Sequence, residues 1–204
     1  MTDLELVKQY PLAIASMKDP SEEVKLEAVK GHSDAIKYIK NASEDLQVAA
    51  ILANVDAFLN IKEPSEKVQL AAVTEFAYYI GHIANPSEAI QLAAVHSKYG
   101  AQVIQKIKNP TQAVMEASVK QLPDSIEFID NPTEELQLLA VEKYPAAILG
   151  IENPSDKAII EAVRGSKGLL LYVSKYNPSE TVIEAIKDMY GDESAEIVRT
   201  GKWF

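Results

Sequence analysis

The chain contains no cysteine, which excludes disulfides and thiolate metal sites. Histidine is nearly as scarce. His32, His82 and His96 are the whole supply, and none stands at the His-Glu-x-x-His spacing that holds zinc. No uninterrupted apolar run approaches the ~18 residues of a membrane span. Met1-Thr2-Asp3-Leu4-Glu5 lacks the basic start and apolar stretch of a secretory signal. A soluble, cytoplasmic protein with no membrane partner is the expectation. Positive charge is also short, with 20 basic side chains against 30 acidic ones and a formal charge of −10. Direct binding to nucleic-acid phosphate needs clustered Lys and Arg and is disfavoured. Aromatics are only 7% of the residues, while 47% are hydrophobic, mostly alanine and branched aliphatics. Such side chains suit thin, closely packed helical layers.

What the chain does have is a recurring phrase. Asn85-Pro86-Ser87-Glu88, followed by Ala89-Ile90-Gln91-Leu92-Ala93-Ala94-Val95, returns with small changes around Pro20, Ala42, Pro64, Pro110, Pro132, Pro154 and Pro178. The successive spacings are 22, 22, 22, 24, 22, 22 and 24 residues. A fixed period in this range marks a stacked repeat protein. Each copy reads as two short helices. Asn or Asp reads as the N-cap, proline as the first helical residue, and the acid as the third, close to a capping box. The ninth place is small in most copies, from Ala28, Ala50, Ala72 and Ala94 to Ser118, Ala140 and Ala162, so neighbouring helices can approach closely. The second helix carries an i, i+3 pair, such as Ile36 with Ile39 or Ile148 with Ile151. Isolated helices this short are marginal in water, so stacking must supply the stability.

Proline placement agrees with this reading. Seven of the ten prolines sit in the phrase, and Pro11, Pro123 and Pro145 open second helices. None falls in a helix interior, where it would cost roughly 3 kcal/mol. The expected fold is all-α: an α-solenoid, a right-handed superhelix of short helix-turn-helix repeats. Residues 1–204 form a single repeat domain. Within it, 1–19 are an N-terminal capping repeat, 20–177 are seven repeats, and 178–204 are the final repeat and C-terminal cap. Gly191-Asp192-Glu193 opens a closing helix that ends near Thr200-Gly201.

Residues of the form Asn-Pro-Ser-Glu-x-x-Gln-Leu-Ala-Ala-Val resemble a family of short, about 22-residue α-helical hairpin repeats of unassigned function. Such repeats occur in bacterial, phage and giant-virus proteins. The resemblance runs from Pro20 to about Lys187, with the best copies at Glu63 to Val73 and Asn85 to Val95. It departs at Ala42, at Gln112 and after Pro178. It implies a helical solenoid and is compatible with a phage or prophage source, in which case the location would be the host cytoplasm. It carries no catalytic residue across.

No motif for chemistry is found. Gly165-Ser166-Lys167-Gly168 lacks the spacing, the ending and the preceding strand of a phosphate loop, and reads as a turn between helices. There is no Gly-x-Ser-x-Gly elbow and no dinucleotide fingerprint. The chain is therefore read as no enzyme, with no catalytic residue, cofactor or metal. Two rows could meet a partner. Tyr10, Phe76, Tyr99, Tyr144 and Tyr190 lie at or near the turn between paired helices, and Trp203-Phe204 close the chain; exposed aromatics are favoured anchors for protein partners. Glu22, Glu44, Glu66, Glu88, Glu134, Asp156 and Glu180, reinforced by Glu23, Asp45 and Glu135, would align along one edge. Lys67 and Lys157 interrupt that row. The leading expectation is a protein-protein interaction module, such as a phage protein that binds and modulates or inhibits a host or defence protein. One alternative is an acidic mimic of nucleic acid that occupies a DNA- or RNA-binding protein. Another is a self-assembling structural protein.

Overall fold

A computed structural model describes residues 1–97 and 100–202, the side chains of residues 100 and 101 excepted. Among the described residues the chain is helical throughout and contains no strand. No helix in it is long and apolar enough to cross a membrane. The chain divides into two compact units, Met1–Ile107 and Lys108–Phe204.

In the first unit the α-helices are α1 (Asp3–Gln9), α2 (Glu22–Gly31), α3 (Glu44–Ala53), α4 (Glu66–Glu75) and α5 (Glu88–His96). Each is followed by a short 3-10 helix: Pro11–Ser16, Ser33–Tyr38, Val55–Asn60, Ala77–His82 and Gly100–Lys106. Each of α1 to α4 packs on the next α-helix, all five pack on their own 3-10 helix, and α2 to α5 each also rest on the 3-10 helix of the copy before. The unit is thus two layers, one of α-helices and one of 3-10 helices. The second unit begins the same way, with α6 (Gln112–Gln121), α7 (Glu134–Lys143) and α8 (Asp156–Gly165). Pro123–Phe128 and Pro145–Gly150 are its first 3-10 helices. The copy after α8 is longer, running through Lys167–Leu169, α9 (Leu170–Val173) and Ser174–Tyr176. The unit closes with α10 (Glu180–Tyr190) and α11 (Asp192–Thr200), which pack together. Gly191 and Gly201 flank α11 with positive φ. This is an all-α helical repeat.

The small ninth position lies at the heart of each layer. Ala28, Ala50, Ala72, Ala94, Ser118, Ala140 and Ala162 are fully buried, as are Val29, Val73, Val95 and Val163 beside them. The second layer adds Ile36, Phe58, Ile80, Ile104, Ile126 and Ile148, also buried.

Two local expectations are corrected. The N-cap is not the Asn or Asp but the Ser or Thr after proline: Ser21, Ser43, Ser65, Ser87, Thr111, Thr133, Ser155 and Ser179. Each accepts a hydrogen bond from the backbone N–H three residues on, for example Leu46 N–H to Ser43 Oγ at 3.3 Å. Proline therefore lies just outside the helix and the acid is the first helical residue. In four copies the first residue of the phrase has another task. Asn41, Glu63, Asn131 and Asn177 hold left-handed backbone, with φ of 53°, 49°, 49° and 48°, a conformation asparagine tolerates better than most residues. The second correction concerns the paired helix, which is 3-10 rather than α. The first isoleucine or phenylalanine of each i, i+3 pair lies in this helix and the second is the extended residue that ends it, for example Ile36 and Ile39. Pro11, Pro123 and Pro145 do open these helices.

Candidate functional site

In the regular copies a single non-helical residue joins each α-helix to its 3-10 helix. Tyr10, His32, Asn54 and Phe76 fill this place in the first unit; Leu122, Tyr144 and Ser166 fill it in the second. The local chemistry divides them. His32 Nδ1 accepts from Asp34 N–H at 3.3 Å, and Asn54 Oδ1 from Asp56 N–H at 2.9 Å, so both cap the following helix. Tyr10, Phe76 and Tyr144 make no such cap, and their rings are 57%, 44% and 46% exposed. Among the described residues the aromatic edge expected from spacing is discontinuous: His32 and Asn54 stand between the rings of the first unit, and Leu122 and Ser166 flank Tyr144 in the second. Tyr190 ends α10 but works internally. Its hydroxyl donates to the Val163 carbonyl at 3.1 Å, and Lys167 Nζ stands 5.2 Å from its ring centre. Tyr99, Trp203 and Phe204 lie outside the described residues.

Around Phe76 the structure gathers more aromatics than spacing foretold. Phe76 lies 5.5 Å from Tyr78 and 6.1 Å from Tyr79 between ring centres. Tyr79 meets Phe58 edge-on at 5.9 Å and His82 at 5.6 Å. Tyr79 is buried at a place where Ala35, Ala57 and Ala147 stand in other copies, and its hydroxyl donates to Asp56 Oδ1. Burial, reinforced by that carboxylate, pushes the Tyr79 phenol up to about 12. The signal was available: a large aromatic breaks a small-residue column.

The acidic row sits at the N-terminal ends of the α-helices, and Glu44, Glu66, Glu134 and Asp156 reach to the next copy rather than capping their own helix. Ser65 Oγ–H donates to Glu44 at 2.5 Å, Ser87 to Glu66 at 2.5 Å, and Ser179 to Asp156 at 2.6 Å. Each of these hydroxyls also accepts from its own helix, so one serine serves two copies. The expected capping box is absent here because the acid stands two positions early; one does form at Thr2 and Glu5. Cations complete the row. Lys67 Nζ lies 2.6 Å from Asp45 and 3.4 Å from Glu44, Lys157 2.6 Å from Glu134, and Arg199 2.7 Å from Glu180. The Ser65 hydroxyl, aided by Lys67, holds Glu44 below the usual carboxylate range, and Lys157 does the same for Glu134. Glu22 pairs with Lys25 at 2.6 Å. Glu88 opens α5.

A recurring glutamine was not singled out from the sequence. Gln47, Gln69, Gln91 and Gln137 donate to the carbonyls of Ala42, Pro64, Pro86 and Pro132 at 2.8–3.0 Å. Gln137 Oε1 also accepts from Ser155 N–H at 2.7 Å, which joins adjacent copies. Among the described residues no three His, Asp or Glu side chains come together to hold a metal ion. Searches of family models, of curated proteins and of solved structures return no match to this chain.

Proposed function

We propose that the chain is a non-enzymatic interaction module that binds another protein through the turn between its α and 3-10 layers. The observation that carries this reading is the exposure of Tyr10, Phe76 and Tyr144 at one equivalent place in the copies. In the first unit His32 and Asn54 use polar atoms in that place to cap a helix; the three rings cap nothing. Large rings held on rigid backbone lose little entropy on binding and make good anchors. Phe76 is further braced by Tyr78 and Tyr79. The repeat resemblance adds a setting: a phage or prophage protein in host cytoplasm that modulates a host or defence protein. Alanine replacement of Phe76 and Tyr144, with affinity capture from the source cell, tests the reading. Loss of the captured protein supports it; undiminished recovery refutes it.

The acidic mimic of nucleic acid has less support. Lys67, Lys157 and Arg199 stand within the row and neutralise part of it. Such a mimic would release its partner steeply as salt rises, whereas a ring-anchored interface would not.

A further inference from the structure

Between successive 3-10 helices, at the loops that lead into the next copy, each unit has a groove. In the first unit its charged walls are Lys37, Lys40 and Lys62, with no carboxylate lining it. In the second unit they are Glu127, Asp130 and Glu152, with no cation. The two grooves occupy the same place in the repeat. Lys37 and Glu127 each follow the buried isoleucine of a 3-10 helix, Ile36 or Ile126. Lys40 and Asp130 each follow the next isoleucine in register, Ile39 or Ile129, and Lys62 and Glu152 follow Ile61 or Ile151. Three equivalent positions therefore carry opposite charge in the two grooves. All six side chains are exposed. Lys37 pairs with Asp34 at 2.9 Å; among the described residues the other five make no ion pair within the chain.

Five of the six make no ion pair among the described residues, so their charge is open to a partner. A groove of one sign whose counterpart repeats its spacing with the other sign is matched in register by a second copy. We propose that the exposed lysines edging the first unit's groove in one molecule pair with the exposed carboxylates edging the second unit's groove in a second copy. Charge complementarity of this kind steers encounter and sets register more than it adds affinity. The contact is accordingly weak and responsive to salt. It uses the loop edge and leaves the aromatic turns at the opposite end of the helices open. It goes beyond partner binding, and either can fail without the other.

Sedimentation velocity over a range of concentrations tests this. In about 20 mM salt the protein associates with itself, and in about 500 mM salt, where charges are screened within a few ångströms, it is monomeric. Reversing one groove (Lys37→Glu, Lys40→Glu, Lys62→Glu) weakens self-association by about tenfold or more, and so does Glu127→Lys, Asp130→Lys, Glu152→Lys. Mixing the two triple variants restores association, now between unlike molecules. Circular dichroism confirms that both remain folded, as substitution of exposed side chains should allow. A wild-type protein that stays monomeric at low salt overturns the proposal. So does an association that survives either triple reversal, or triple variants that fail to pair when mixed.

Discussion

Glu63 adopts the left-handed backbone that asparagine takes in three sibling copies, with φ of 49°. Its Cβ meets carbonyl oxygen in that region, at a cost of roughly 1 kcal/mol that asparagine partly relieves. Glu63→Asn should therefore raise stability by about 0.5–1 kcal/mol in urea denaturation; a loss would show that the strain is not there. Gly165 makes the opposite point. At the end of a helix, Gly→Ala ordinarily gains up to about 1 kcal/mol. Here an added Cβ would lie 2.5 Å from Cγ of Pro145, in a ring that cannot swing aside. Gly165→Ala should cost about 1–3 kcal/mol. The same change in a Pro145→Ala background should cost less, because the obstructing atom is gone. Equal costs in both backgrounds would put the effect elsewhere. Gly31 faces Pro11 in the same way, at 2.6 Å, whereas Lys143 stands at the equivalent place after Pro123, so glycine meets the proline of the preceding copy in two of the three copies that carry it.

At the scale of the element, Ser65 is the joint between α3 and α4. It caps α4 with its lone pair and grips Glu44 with its proton. Ser65→Ala removes both and should cost about 1–2 kcal/mol. A double-mutant cycle with Glu44→Gln should show positive coupling, and strict additivity would mean that the two side chains do not interact in solution. Acid should act on the same joint. The folded state depresses Glu44 and Asp45, the first through Ser65 and the second through Lys67. A depressed carboxylate contributes stability above its unfolded pKa and loses it as pH falls through the folded value. Urea midpoints of the wild type should thus fall below about pH 4.5, and those of a Glu44→Gln variant should fall less. Tyr79 behaves in the other direction. Its phenol is raised to about 12, so the neutral form is favoured by folding, and its contribution is whole below about pH 10 and fades as pH rises through 12. Difference absorbance between wild type and Tyr79→Phe should show no phenolate from this residue at pH about 10.5. Its appearance there would mean that Tyr79 is not enclosed.

For the molecule as a whole, stability is a sum of nearest-neighbour terms. Within the first unit α1 to α5 each touch their neighbouring α-helices and their own 3-10 helix, and α6 and α7 do the same in the second. Ile80 is almost completely buried between layers, so Ile80→Ala should cost about 2–5 kcal/mol. In a stacked array that loss is felt first by adjacent copies. Amide exchange should quicken across α4 and α5 before it does in α1; uniform quickening of the whole chain would favour a globally cooperative core instead.

Much of this architecture could be read from the chain because its physics is local and repeated. Proline is excluded from a helix interior, only a small side chain fits where helices touch, and a phrase returning every 22 or 24 residues must build like layers. The helix count, the closing helix near Gly191 and the buried ninth column follow from those facts. The cap register did not, since Asn-Pro-Ser offers two plausible N-caps and only the backbone of the loop decides between them. Nor did the 3-10 form of the second layer, because an i, i+3 pair fits either helix type until Pro and the tight loop limit it to two turns. The roles of the acids were likewise settled by stacking. Glu44 reaches Ser65 only because a neighbouring copy lies one layer away, and the opposed grooves of Lys40 and Asp130 share a place only once the copies are folded. Periodicity determined what each brick is; contact between bricks decided what its surface side chains do, because those interactions span some 20 residues of chain that no local pattern encodes.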